Sequence, residues 1–364
     1  MKHKIFVVLF FIAILPFVIF ASMDLSYDFN PGRSLFAEPK AAPYSLSTSL
    51  KYITVTDGQP NEILASKRTP GLKDAEIVMV PWTAANDSNV NYFNLKSGVD
   101  LAFSRLTVGP VSIELNLGAG LNTVFEGFGG SNCVGFDGLY FYGLNASIYD
   151  IVQLKAGYHH FSGHWGDELN DKYYDVIKTY SDFDTKTYQT TEYTRDNSML
   201  LGVSVTPASF IRVYGELEIP EKASWIHPVM HVPNDTIRPT DDARNQMEDL
   251  GNKYGIENII KADNYHAYRI QAGVELEVPI YKNYSYFLSY DFQSHQDGQT
   301  MHNLTDYSAD NPWEIENTIS TGISMKHEVR DVKIEFTYHD GRFPLLNLYY
   351  QRTKYWSLGF NISG

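Results

Sequence analysis

The sequence predicts an all-β protein, a transmembrane antiparallel β-barrel of about twelve strands with long outer loops and short periplasmic turns. Three observations predict it. Apolar residues recur at every second position in segment after segment, which is the periodicity of a strand whose two faces meet different surroundings. The opposite parity repeatedly carries Arg, Glu, Lys and Gln, more charge than a soluble core tolerates unpaired, so a wet lumen is expected inside an apolar wall. The links between segments alternate between mostly long and uniformly short, the pattern of outer loops and periplasmic turns.

The chain begins Met1-Lys2-His3-Lys4, continues without a charge over 5–20, and reaches Ala21-Ser22. Basic, apolar, then small is the order of a secretory signal peptide, and the run is short for a spanning helix, which needs about 20 residues. Residues 1–22 are therefore read as the signal peptide and 23–364 as one barrel domain, exported to the bacterial outer membrane. Residues 29–43 are rich in turn formers and are expected on the periplasmic side. The first strand is expected at 44–55. A polar link over 56–91 follows, with a short extra strand at 77–80. The next strand is 92–105.

After Gly109-Pro110 comes the clearest alternation, with Val111, Ile113, Leu115, Leu117, Ala119 and Leu121 on one parity and Ser112, Glu114, Asn116, Gly118, Gly120 and Asn122 on the other. The pattern recurs at Tyr140–Ile148, 152–164, Met199–Val205 and Ile211–Glu218, and again at 268–277, 284–295, 313–326, 333–339 and 348–362. A short helix is expected at 241–250, with Asp241 as N-cap and Gly251 as stop. The aromatic-rich amphipathic end, Tyr355-Trp356-Ser357-Leu358-Gly359-Phe360, resembles the signal read by the outer-membrane assembly machinery, although the chain finishes on Gly364 and not on an aromatic residue.

Composition narrows the function. The net charge of −14 argues against nucleic acid, whose phosphates require a basic partner surface. One cysteine, Cys133, makes no internal disulfide framework. The sequence leaves the oligomeric state open.

The chemistry concentrates in Tyr158-His159-His160-Phe161-Ser162-Gly163-His164-Trp165-Gly166-Asp167-Glu168. Val152, Leu154, Ala156 and Tyr158 are the apolar parity of this strand, so His160, Ser162 and His164 continue on the lipid face. At ~3.3 Å per residue and a tilt near 40°, Ser162 lies roughly 25 Å above Val152, near the outer headgroups. A channel lining requires the opposite parity. On this reading Ser162 is the nucleophile, His160 its base, and Glu168 or Asp167 the group that orients the imidazole; His164 shares their face and joins the catalytic candidates. Backbone N–H groups near Gly163 or Gly166 are candidate oxyanion donors.

A metal competes. His160 and His164 stand about 13 Å apart along a regular strand, too far for one ion. Asp167, Glu168, Asp171 and Asp175 offer oxygen ligands of the kind calcium takes. The bland alternative is structural: rim His, Trp and Asp bond loops together, and Gly166-Asp167-Glu168 is a turn. His159 and Trp165 fall on the inner parity as packing residues.

The run from His160 to Glu168 resembles an uncharacterised bacterial outer-membrane family, a domain of unknown function whose hallmark is H-x-S-x-H-x-G-D-E. Leu35-Phe36-Ala37-Glu38-Pro39 and Tyr338-His339-Asp340-Gly341-Arg342 agree with it, so the resemblance spans most of the mature chain. The family pattern favours Asp at Glu38 and Ser at Gly163. It implies an outer-membrane barrel and brings no established activity. The His-x-Ser pair is also similar to that of outer-membrane lipid A deacylases. Three functions stand as expectations: an acyl-ester hydrolase acting on outer-leaflet lipid through the His-Ser pair at the extracellular rim, a porin-like or solute-binding barrel with a polar lumen, and a structural or surface-interaction protein.

Overall fold

The computed structural model describes residues 24–60, 62–67, 76–81, 90–127, 132–170, 188–194, 197–220, 225–229, 268–295, 313–328, 330–348 and 351–363. The expected signal peptide, the helix expected at 241–250, and Asp171 and Asp175 lie outside the described residues.

The strands in chain order are β1 (Leu25–Phe29), β2 (Thr48–Asp57), β3 (Glu62–Lys67), β4 (Glu76–Pro81), β5 (Asn91–Val108), β6 (Val111–Glu126), β7 (Cys133–Ile148), β8 (Val152–Trp165), β9 (Tyr188–Thr194), β10 (Ser198–Ala208), β11 (Ile211–Pro220), β12 (Trp225–Val229), β13 (Arg269–Tyr281), β14 (Tyr284–His295), β15 (Glu314–Lys326), β16 (Asp331–Arg342) and β17 (Arg352–Ser363). Twelve of them close into an antiparallel barrel: β2, β5–β8, β10, β11 and β13–β17, with β17 pairing back onto β2. The short extra strand expected at 77–80 is β4, which pairs with β3, a strand the sequence did not announce, and β3, β9 and β12 continue the sheet beyond the closed wall.

The closure is sheared. Stepping from partner to partner leads from Val108 through Val111, Ile148, Val152, Val205, Val213, Val274, Tyr290, Ile319, Tyr338, Trp356 and Thr54, and returns to β5 at Asn91, its opposite end. Strands tilted against the barrel axis produce this stagger. A line drawn square to the strands therefore climbs from the periplasmic to the outer end as it passes from β5 towards β8. The shear leaves the lower edge of β5 beyond the reach of β2, and β1 covers part of it, from Leu25 opposite Val108 to Phe29 opposite Ser104.

The outward parity forms an apolar wall, including Leu95, Leu117, Tyr142, Val203, Val213, Ile270, Leu288, Ile319, Phe336 and Leu358, all exposed. The inward parity is polar, as expected. It is not wet. Glu114, Asn116, Asp137, Glu218, His295, Glu316, Glu335 and His339 are buried almost completely. A polar bore of this kind needs partners for its charges. Neighbouring wall strands supply some, as where Lys51 meets Glu335 at 2.7 Å and Arg269 meets Glu218 at 2.8 Å, and two further segments of the chain supply others.

The first is the stretch after β1. It does not stay on the periplasmic side; it enters the lumen as a strap over 31–47, which is why β2 starts later than expected. The Arg33 guanidinium bonds Asp331 at 2.7 Å near the lower turn. The Leu35 amide donates to Glu114 at 2.7 Å, and Lys40 meets Glu275 through its amide at 2.7 Å and its ammonium at 2.9 Å. The Lys155 ammonium on β8 pairs with Glu38 at 3.0 Å, their side chains 5% and 9% exposed. Arg212 donates to the Ala37 carbonyl at 2.6 Å.

The second is the link between β16 and β17, a plug that enters from the outer end. Phe343, Leu345, Leu346 and Leu348 are buried. Asp137 on β7 accepts the Leu346 amide at 3.0 Å, and Asn122 on β6 donates to the Pro344 carbonyl at 2.8 Å. Strap and plug touch where the Tyr44 hydroxyl donates to the Phe343 carbonyl at 3.2 Å.

Two outcomes are expected. Replacing Glu38 with Gln strands the buried Lys155 ammonium and lowers stability by about 3–5 kcal/mol, whereas Glu38→Gln with Lys155→Met costs less, because a broken buried pair is worse than an absent one; denaturant unfolding in lipid vesicles measures both. Folded wild-type protein in a planar bilayer carries no stepwise current, and replacing 343–348 with a short Gly-Ser link raises conductance.

Candidate functional site

β8 alternates without a bulge across its whole pairing with β7. Its odd residues face the lumen: Lys155, His159, Phe161, Gly163 and Trp165 are buried. Phe161 meets Tyr44 of the strap with ring centres 6.3 Å apart and lies under the Arg269 guanidinium at 5.4 Å. Gly163 is required by the plug, since a Cβ there would sit 2.5 Å from Asn347 Oδ1. His159 lies 3.8 Å from Glu218, which also holds Arg269 at 2.8 Å. The inner side of the motif thus locks strap, plug and wall together.

The even residues face outward. His160 stands opposite Tyr140 of β7, and the two rings stack at 4.7 Å and 12°. His164 stacks on Phe136 at 4.9 Å and 27°. Ser162 stands between them, opposite Gly138 on β7 and Thr194 on β9. A Cβ on Gly138 would lie 3.0 Å from Ser162 Oγ, so the glycine keeps the space before the hydroxyl clear. His160 and Ser162 are two residues apart on one face, about 6.6 Å of strand rise, a separation their side chains can bridge.

The carboxylates lie elsewhere. Asp167 and Glu168 are exposed on a single helical turn beyond Trp165. The strand from His160 to its end covers about 16 Å, so neither carboxylate stands beside the imidazole in this arrangement. The Gly166 amide donates to the Val134 carbonyl at 2.9 Å, which removes it from the candidate oxyanion donors. Among the described residues no group of three or more His, Cys, Asp and Glu is placed to hold a metal ion.

One residue missed in the sequence belongs here. The register of β8 with β10 runs Met199 opposite Tyr158 and Ser198 opposite His159. One step further brings Asn197 level with His160. The Tyr140 hydroxyl, whose ring carries the imidazole, donates to Asn197 Oδ1 at 3.1 Å. Its only signal in the sequence is its place just before the alternation of Met199–Val205. The long link from β8 hides the register that gives the position meaning.

An open depression of about 490 Å³ in the outward wall borders Ser162 and His160, lined also by Ser97, Ala119, Leu121, Gly138 and Tyr140.

No family model matches the chain, and no curated protein sequence matches it. Its likeness to the uncharacterised family therefore stays at the level of the three motifs. Solved structures do resemble it in fold. Outer-membrane phospholipase A from Escherichia coli is 13% identical, with 89% of this chain and 98% of that one covered and a TM-score of 0.40. The Salmonella typhi outer-membrane phospholipase dimer with bound calcium is 13% identical over 87% of this chain and 89% of that one, with a TM-score of 0.37. A Pseudomonas aeruginosa FadL homologue is 8% identical over 87% and 88%, with a TM-score of 0.32. The fold is that of bacterial outer-membrane barrels, and the likeness extends to fold alone.

The parity of β8 makes a direct prediction. In a Cys133→Ser background, Ser162→Cys and His164→Cys react with a lipid-soluble maleimide in vesicles, while Phe161→Cys, on the buried inner parity, stays unmodified in folded protein. Mass spectrometry of the peptide reads the result.

Proposed function

We propose that the chain is an outer-membrane hydrolase that cleaves acyl esters of outer-leaflet lipid, with Ser162 as nucleophile and His160 as general base. The observation that carries this reading is the outward placement of the pair beside an open depression in an apolar wall. A lipid ester at the headgroup boundary approaches such a pair sideways, without leaving the bilayer.

The chemistry is acyl transfer. His160 takes the Ser162 proton as Oγ attacks the ester carbonyl; the proton then passes to the departing alcohol, leaving an acyl-serine. Water, deprotonated by the same imidazole, releases the fatty acid and restores Ser162. The Tyr140 ring holds the imidazole plane. Asn197 is the positioning residue in this scheme: its carboxamide oxygen carries two lone pairs, one accepting the Tyr140 hydroxyl and the second suited to an imidazole N–H. His164, one position above Ser162 on the same face, meets the headgroup side of the substrate. Asp167 and Glu168 serve this reading as rim groups. Calcium enters it only as a support for the link after β8; two exposed carboxylates fall short of the six to eight oxygens the ion takes, so no step is routed through it.

A conducting or solute-binding barrel is the alternative, and it requires strap and plug to move out of a lumen whose polar groups they satisfy.

Purified protein in mixed vesicles of labelled phospholipid and lipid A tests the hydrolase. Wild type releases fatty acid, Ser162→Ala loses about a thousandfold or more of the rate, and Asn197→Ala loses about a hundredfold with KM little changed. Equal release by wild type and Ser162→Ala overturns the assignment.

A further inference from the structure

The depression beside Ser162 has a direction. Ser97 on β5 stands opposite Leu121 on β6, Leu121 opposite Gly138 on β7, and Gly138 opposite Ser162 on β8. These four outward residues form one row across the wall, and three of them are small. The rows on either side are taller. Leu95, Thr123, Phe136 and His164 flank it above, and Val99, Tyr140 and His160 flank it below, where Ala119 lowers the wall. Gly138 supplies no side chain at the step next to Ser162 Oγ. The result is a trough that starts at the hydroxyl and runs across the strands.

Its slope follows from the shear. Moving from β5 towards β8 climbs towards the outer end, so moving from Ser162 to Ser97 descends. Three interstrand steps cover about 14 Å, and at a tilt near 40° that is roughly 9 Å of depth. The trough leads from the level of the candidate nucleophile down into the apolar wall, where Leu95, Val99 and Leu121 are exposed.

We infer that this row is the bed of the scissile acyl chain, with Gly138 as its gate and Ser97 as its far limit. The inference rests on the hydrolase reading and deepens it: the occupant is a single alkyl chain of a membrane lipid. An alkyl chain tethered at an ester near the headgroups points down the bilayer, as the trough does. The trough continues the lipid-facing wall without interruption, and the described lining carries no formal charge apart from any proton on His160.

Alkanesulfonyl fluorides of increasing length test it. Ser162 Oγ attacks sulfur, the S–F bond breaks, fluoride leaves and His160 takes the hydroxyl proton, so the label stays on Ser162 and is counted by mass spectrometry. The bed predicts that hexadecyl reagent labels wild type faster than methyl reagent in detergent micelles. Ser97→Trp, which blocks the far end, lowers that long-to-short ratio by about tenfold, and Gly138→Leu, which closes the gate, lowers it further. Ile319→Trp, on the far wall, leaves the ratio as in wild type. Folding of each variant is checked by its heat-dependent migration on gels. If neither reagent labels Ser162, the hydrolase reading fails and the bed with it. If both label Ser162 and Ser97→Trp keeps the wild-type ratio in folded protein, the bed is wrong and the hydrolase stands.

Discussion

The pairing of Lys155 with Glu38 is the contact around which this barrel is arranged. A closed sheet with one apolar and one polar face has to enclose its polar face, and once chain fills the bore in place of water the charges there need protein partners. Here the filling is the chain itself. Lys155 lies on the strand that carries the motif, and Glu38 lies on the strap, so a single ion pair binds the interior packing to the strand whose other side faces lipid. Around it Phe161 packs on Tyr44, Arg269 covers Phe161, and Asn347 of the plug lies against Gly163.

β8 therefore does two jobs through the period of two. Odd residues fix the strand to the filled lumen; even residues present His160, Ser162 and His164 outward. A rigid inner side is what holds the outer side in place, because a strand anchored at Lys155, Phe161 and Gly163 cannot slip its register against β7 without tearing those contacts. The stacked rings of Tyr140 and Phe136 add a second restraint from the neighbouring strand.

Much of this was legible in the sequence. Alternation in Val111–Leu121 and Tyr140–Ile148 located strands and their faces, and the parity of Val152 to Tyr158 placed Ser162 on the outer face. The strap was not legible. Residues 29–43 contain turn formers, and nothing local distinguishes a turn-rich segment outside a barrel from one threaded inside it; the difference lies in distant partners such as Glu114 and Glu275. For the same reason the charged parity suggested a wet bore, since the count of charges says nothing about their pairing. Asp167 and Glu168 were near Ser162 in sequence but lie past the strand's end, whereas Asn197, more than thirty residues on, lies level with His160. Sequence distance misleads wherever a long link separates neighbouring strands.

The strap is continuous with β2, and β2 is the strand on which β17 closes. A segment joined to the wall at that seam braces it from within, because Glu38 and Lys40 of the strap reach Lys155 on β8 and Glu275 on β13 across the bore. Parting β2 from β17 therefore pulls on ion pairs at the opposite side of the cylinder, and the seam shares its strength with strands it never touches.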